Sequence, residues 1–158
     1  MTRAVLVAGL AFSTLLLPSR AAAVLGGDLN SIDADQKQMK ASKRVVQAND
    51  SKYTVHEITT PYGTVVREYV SSDGKVFGVA WRGPFLPNFQ QILGASYQQF
   101  AQATQQAEAA YPRHSRNAPL AIEQPDLVVH SGGHTRAYSG QAYLPALIPQ
   151  GVDVKEVR

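Results

Sequence analysis

The chain has 158 residues, of which 44% are hydrophobic, enough for one domain with one core. It contains no cysteine, which excludes disulfides, thiolate catalysis, zinc–thiolate sites and lipid attachment through cysteine. The formal charge of +3 includes Arg3 and Arg20, both in a segment expected to be removed; without them it is +1, too neutral to suggest a nucleic-acid or membrane-surface protein.

Arg3 gives a short positive start, Ala4 to Leu17 is uncharged and apolar, Pro18 breaks the run, and Ala21-Ala22-Ala23 supplies small residues for cleavage. About 14 apolar residues fall short of the roughly 20 that a spanning helix needs. The reading is a secretory signal over residues 1–23, a mature chain with no transmembrane segment, and a periplasmic or secreted location. Residues 24–51 read as a lead-in. Gly26-Gly27 is flexible, Ser31 is a candidate cap, and a helix is expected from about Ile32 to Lys43, its apolar stripe limited to Ile32, Met39 and Val46. Asn49-Asp50-Ser51 is a turn signal.

A single domain is expected over 52–158. Lys52 to Thr60, Thr64 to Ser71 and Lys75 to Arg82 alternate as three antiparallel strands. Pro61-Tyr62-Gly63 fits a three-residue loop, which sets Glu57 against Arg67 and His56 against Glu68; a two-residue loop would oppose two glutamates. Asp73-Gly74 predicts a two-residue hairpin turn pairing Val70 with Phe77, Glu68 with Val79 and Val66 with Trp81. Val66, Val70, Phe77, Val79 and Trp81 then form the core face. Val65, Arg67, Tyr69, Gly78 and Ala80 form the other, with Tyr69 opposite Gly78.

Gly83, Pro84 and Pro87 end the third strand. Asn88 with Gln91 resembles a capping box, and Phe89, Ile92, Leu93, Tyr97, Phe100, Ala103, Ala107 and Tyr111 recur near the helical period. This predicts one amphipathic helix from Asn88 to Tyr111, its outer face rich in glutamine at Gln90, Gln98, Gln102, Gln105 and Gln106. Pro112 to Pro125 reads as an exposed connection. Leu127 to Ser131 is a strand, Gly132-Gly133 a turn, His134 to Leu144 the return, and Gly151 to Val157 a short last strand. The fold class is α+β: an antiparallel sheet, made of an N-terminal three-stranded meander plus C-terminal strands, packed against one long amphipathic helix.

The candidate chemistry is sparse. His56 and Glu68 form a cross-strand pair that could act as base and orienting carboxylate, with Ser71 and Ser72 nucleophiles by type only; a structural ion pair is the preferred reading. Trp81, Arg82 and Phe85 have the composition of a binding hot spot, but Trp81 falls on the apolar side of the register, which favours core positions for Trp81 and Phe85 with Arg82 reaching solvent. His130 and His134 are spaced like metal ligands. Across a two-residue Gly-Gly turn, however, the two rings point to opposite faces, and only a three-residue loop would pair them, so no metal site is expected. Tyr138, Tyr143 and the glutamine face could meet a glycan or a partner strand. Gly26-Gly27 and Gly132-Gly133 are isolated pairs, so no phosphate loop and no cofactor is expected.

The run from Leu25 to Lys40, YGTVVREY, GKVFGVAWRGPFLPNFQQILG and LVVHSGGHTRAYSGQAYLP together resemble a family of short exported proteobacterial proteins, number twenty-eight forty-four in the domain-of-unknown-function series. The resemblance spans nearly all of the mature chain, and VAWRGPFLPN is its most specific piece. It implies export and one compact domain, and carries no assigned activity. The expected function is therefore a non-enzymatic envelope or secreted binding module whose partner is an unidentified protein or envelope component. The alternatives are a hydrolase-like envelope enzyme using His56 and Glu68, or a carrier with a pocket between helix and sheet.

Overall fold

The computed structural model describes residues 25–47, 52–110 and 119–158. The expected leader, the turn signal at Asn49 to Ser51 and the helix stop at Pro112 lie outside them. Among the described residues the strands are β1 (Ser42–Gln47), β2 (Tyr53–Thr59), β3 (Val65–Ser71), β4 (Val76–Gly83), β5 (Leu120–Glu123), β6 (Val128–His134) and β7 (Ala137–Tyr143). They make one sheet in the order β1-β2-β3-β4-β7-β6-β5, with every pairing antiparallel. Three helices precede or interrupt the strands: α1 (Leu29–Gln38), α2 (Phe89–Leu93) and α3 (Tyr97–Ala110). The α+β class and the split between N-terminal and C-terminal strands are as read from the sequence.

One face of the sheet is covered by helix. Ile58, Val66, Val70, Val79, Trp81, Ile122, Val129 and Ala142 point to it, and Ile92, Leu93, Phe100 and Ala103 close over them. Ile92 and Leu93 are fully buried, and each contributes about 1.5–3 kcal/mol. The Asn88 side chain accepts from the Gln91 amide and caps α2 as expected. The continuous helix does not form. The chain leaves the right-handed region at Gly94 and passes through a 3₁₀ turn, Gly94–Ser96, into α3. All five outer glutamines are exposed.

The segment read as a lead-in belongs to this layer. Leu25 and Ile32 are buried in the same core, and the Gly26 amide donates to the Val76 carbonyl at 2.7 Å. The expected helix to Lys43 ends instead at Gln38, and Ser42–Gln47 becomes an edge strand on β2. Residues 112–125 also contain a strand that their prolines concealed, β5, paired with β6. Gly132 and Gly133 lie inside β6 rather than in a turn. The chain reverses beyond them, where Arg136 takes a positive φ of 66°.

The first meander turn is as expected: Thr60 and Thr64 close the Pro61-Tyr62-Gly63 loop, with His56 opposite Glu68 and Glu57 opposite Arg67. The second is not the expected two-residue turn. The Ser71 amide bonds to the Lys75 carbonyl and the Gly74 amide to the Ser71 carbonyl, leaving a three-residue loop with Gly74 at φ 80°. Val70 therefore faces Val76, and a bulge restores the Tyr69–Gly78, Glu68–Val79 and Val66–Trp81 pairs. The extra residue is Phe77, which turns to the face opposite the one expected.

There it nucleates a second, smaller core. Phe77, Tyr69 and Tyr53 meet at ring separations of 5.8–6.1 Å. Residues 144–158 cross this face, bringing Leu147, Ile148, Val152 and Val157 against the aromatic group. The expected last strand is a 3₁₀ turn, Val154–Glu156, capped by Asp153. Val157 fills the space above Gly78, its methyls 3.1 Å from where a Cβ would stand. The Tyr69 hydroxyl accepts from the Arg158 amide (2.9 Å) and donates to the Arg158 main-chain oxygen (2.7 Å). Burial raises the Tyr69 phenol above its ordinary 10.0, outweighing its hydrogen bond to Arg158 and the nearby arginines. A raised phenol stabilises the fold fully below the unfolded value and ceases to do so as pH rises through the folded one. The Val157 methyl resonances should therefore move toward unfolded positions only above pH 10, and Tyr69→Phe should abolish that alkaline transition. A transition of equal size in the Phe variant would remove Tyr69 as its cause.

Candidate functional site

His56 and Glu68 come together as the turn register required, directly opposed on β2 and β3. They point into the helix-covered core. Glu68 is fully buried and His56 is 7% exposed, with Thr54 Oγ1 3.5 Å from His56 Nε2. Ser71, one candidate nucleophile, is engaged in its own hairpin, where its hydroxyl bonds to the Asp73 carboxylate and the Lys75 carbonyl. That hydroxyl holds the Asp73 carboxyl below its ordinary range. Ser72 is exposed on the same turn. The pair thus sits in a sealed layer.

The corner divides its residues. Trp81 is 2% exposed and packs edge-on against Phe89 at 5.3 Å, so it is a core residue. Phe85, expected in the core, is half exposed instead and meets Tyr62 at 6.0 Å. Its backbone is clamped by Thr64, whose hydroxyl donates to the Phe85 carbonyl at 2.9 Å. Arg82, next to Trp81 in the strand, points to the opposite face and is exposed.

His130 and His134 lie on one strand with even spacing, so they share a face rather than opposing each other, and about 13 Å of strand separates them. His130 Nε2 is 2.9 Å from Glu123 Oε1. Among the described residues no group of three or more histidines, cysteines or carboxylates is placed to hold a metal ion. Tyr138 and Tyr143 are an odd number apart on β7 and point to opposite faces.

A concavity lies on the second face, beside the part covered by residues 144–158. Its volume is about 1160 Å³. Two cross-strand rows build it. Arg82 is in register with Ser139 and Gly132, and Arg67 with Ala80, Gln141, His130 and Ala121. Arg158 also lines it, as does Arg136 from the β6–β7 hairpin end. Four of the lining residues are arginines and none is an aspartate or glutamate. Arg67 is engaged, with Nε 3.0 Å from Glu57 Oε2 and Nη1 3.1 Å from the Arg158 oxygen. The guanidinium groups of Arg82, Arg136 and Arg158 make no ion pair among the described residues.

Sequence reasoning found Arg82 and set Arg67 on the right face. It missed Arg136 and Gln141, because only the β4–β7 pairing brings them near Arg82, and Arg158, which the C-terminal segment carries back over β3. The available signal was the hairpin alternation of β7, which the wrongly placed Gly-Gly turn kept in phase but slid out of register with β6.

Fold and site together define an α+β protein with one sheet face roofed by helix and the other left half open as a basic groove. The chain belongs to the family described as "Protein of unknown function (DUF2844)", whose model matches residues 21–157. No curated protein and no solved structure matches it. No described helix is long and apolar enough to cross a membrane.

Proposed function

We propose that the chain is an exported, non-enzymatic binding module, acting in the periplasm or outside the cell through the arginine groove on its second sheet face. The observation that carries this reading is the groove itself: three arginines that make no ion pair among the described residues line one concavity whose lining includes no aspartate or glutamate. Arginines held in this way are suited to bidentate recognition of anionic groups. The leader at residues 1–23 supports export. The hydrolase alternative needs solvent access to His56 and Glu68, which the helix layer covers. The carrier alternative needs a cavity between helix and sheet, whereas this concavity is on the other side of the sheet.

Two measurements test the proposal. Expressed in full in a bacterium with two membranes, the chain should be recovered from periplasm or medium, with a mass matching cleavage after Ala23. An uncleaved cytoplasmic product would remove export. The purified mature chain should also be retained on washed bacterial envelopes, and Arg82→Ala with Arg136→Ala should release it while leaving thermal stability unchanged. Equal retention of the double variant would remove the groove as the contact.

A further inference from the structure

Resting on the groove as the binding surface, the geometry points to a segment of acidic polysaccharide, a chain of uronate-type sugars, as its ligand. The cations are all guanidinium groups. A planar fork matches a carboxylate with two parallel hydrogen bonds, whereas a lysine would supply only a point charge. They come from three separate elements: Arg82 from β4, Arg136 at the β6–β7 hairpin end, Arg158 at the end of the chain segment that crosses the sheet. Cations contributed by separate elements suit carboxylates repeated along a polymer better than a single anion.

Between the cations, β7 presents Ser139 and Gln141 on the same face. A hydroxyl and an amide donate and accept, as sugar hydroxyls require. The floor beside them is Gly132 and Ala121, with Pro119 3.9 Å from where a Gly132 Cβ would stand. At about 1160 Å³ and open to solvent, the groove is larger than most small-molecule pockets, which run roughly 300–1,000 Å³. A single-stranded nucleic acid would need a series of exposed aromatic rings for its bases. Of the aromatic residues lining the groove, Trp81 is buried and Tyr138 is in phase with Gly140 and Ala142 on the other face of β7.

The test is calorimetric titration of the mature chain with polygalacturonate, its fully methyl-esterified form, a neutral dextran, oligo(dT), and vesicles of phosphatidylglycerol. Binding is expected for polygalacturonate and not for the ester or the dextran, and should weaken as salt is raised. Arg82→Ala and Arg136→Ala should each weaken it about tenfold, the loss expected for one charge-assisted hydrogen-bond pair. Arg44→Ala, an exposed arginine outside the groove lining, should leave it unchanged. Equal binding of ester and acid would overturn the carboxylate assignment. Tighter, Arg82-dependent binding of oligo(dT) or the vesicles would overturn the polysaccharide and leave the groove standing. Binding of polygalacturonate unaffected by either groove substitution would overturn both readings.

Discussion

Gly140→Ala should lower the melting temperature by roughly 10 °C, although glycine to alanine normally favours a strand. Gly140 sits on β7 between Trp81 of β4 and Ser131 of β6, the hydrogen in its side-chain position toward the helix-covered face. A Cβ there would lie 2.3 Å from Trp81 Cζ2, 2.7 Å from Cε2 and 2.4 Å from the His130 carbonyl oxygen. The indole lies against the bare backbone and cannot easily retreat: Phe89 meets it edge-on at 5.3 Å and Phe100 backs Phe89 at 5.2 Å. The carbonyl is fixed by the ladder. Overpacking of a core commonly costs about 1–3 kcal/mol, and a clash with backbone places this substitution at the upper end. For a domain of this size each kcal/mol moves the melting point by roughly 2–4 °C. Trp81→Ala alone should cost about 3–5 kcal/mol. Combined with Gly140→Ala it should cost less than the two effects added, because the indole half of the clash has gone. Circular-dichroism melts of the three variants measure this, and a Gly140→Ala protein melting with the parent would mean that Trp81 is not seated on β7.

The same contact shows which parts of the fold were legible in the chain. Trp81 could be assigned to the core because Val66, Val79 and Trp81 alternate within one hairpin, where pairing is local. The capped helix start at Asn88 was legible for the same reason. What failed depended on partners distant in sequence. Val45 and Val46 are substantially exposed on edge strand β1, so its sequence carried no burial pattern, and charged Lys43 and Arg44 read as a helix end. β5 hides among prolines because an edge strand needs one neighbour only. Phe77 changed face through a bulge, and one extra residue in a loop is enough to reverse a strand's assignment. The groove was least legible of all, since Arg82 and Ser139 meet only after the two halves of the sheet join at β4 and β7, and Arg158 arrives with the C-terminal segment over β3.

The buried pair is where stability and function can be separated. Glu68 is fully buried, flanked on its own strand by Val66 and Val70 and across the ladder by Val79 on one side and His56 on the other. Directly opposed side chains have their Cβ atoms about 5 Å apart, so the imidazole is the polar neighbour that the register gives the carboxylate. His56→Leu should cost about 3 kcal/mol, because an acidic group remains in an apolar layer without that neighbour. Glu68→Leu should cost less, since a neutral imidazole is cheaper to bury than a carboxylate. His56→Leu with Glu68→Leu should return to within about 1 kcal/mol of the parent, the pair being replaced by side chains like those around it. Urea denaturation of the four proteins closes the cycle, and strictly additive losses would show that the two residues do not interact. Envelope retention should be the same for the double variant as for the parent, because the pair and the arginine groove occupy opposite faces of the sheet. A double variant that is stable yet no longer retained would move the working site to the helix side and reopen the catalytic reading of His56.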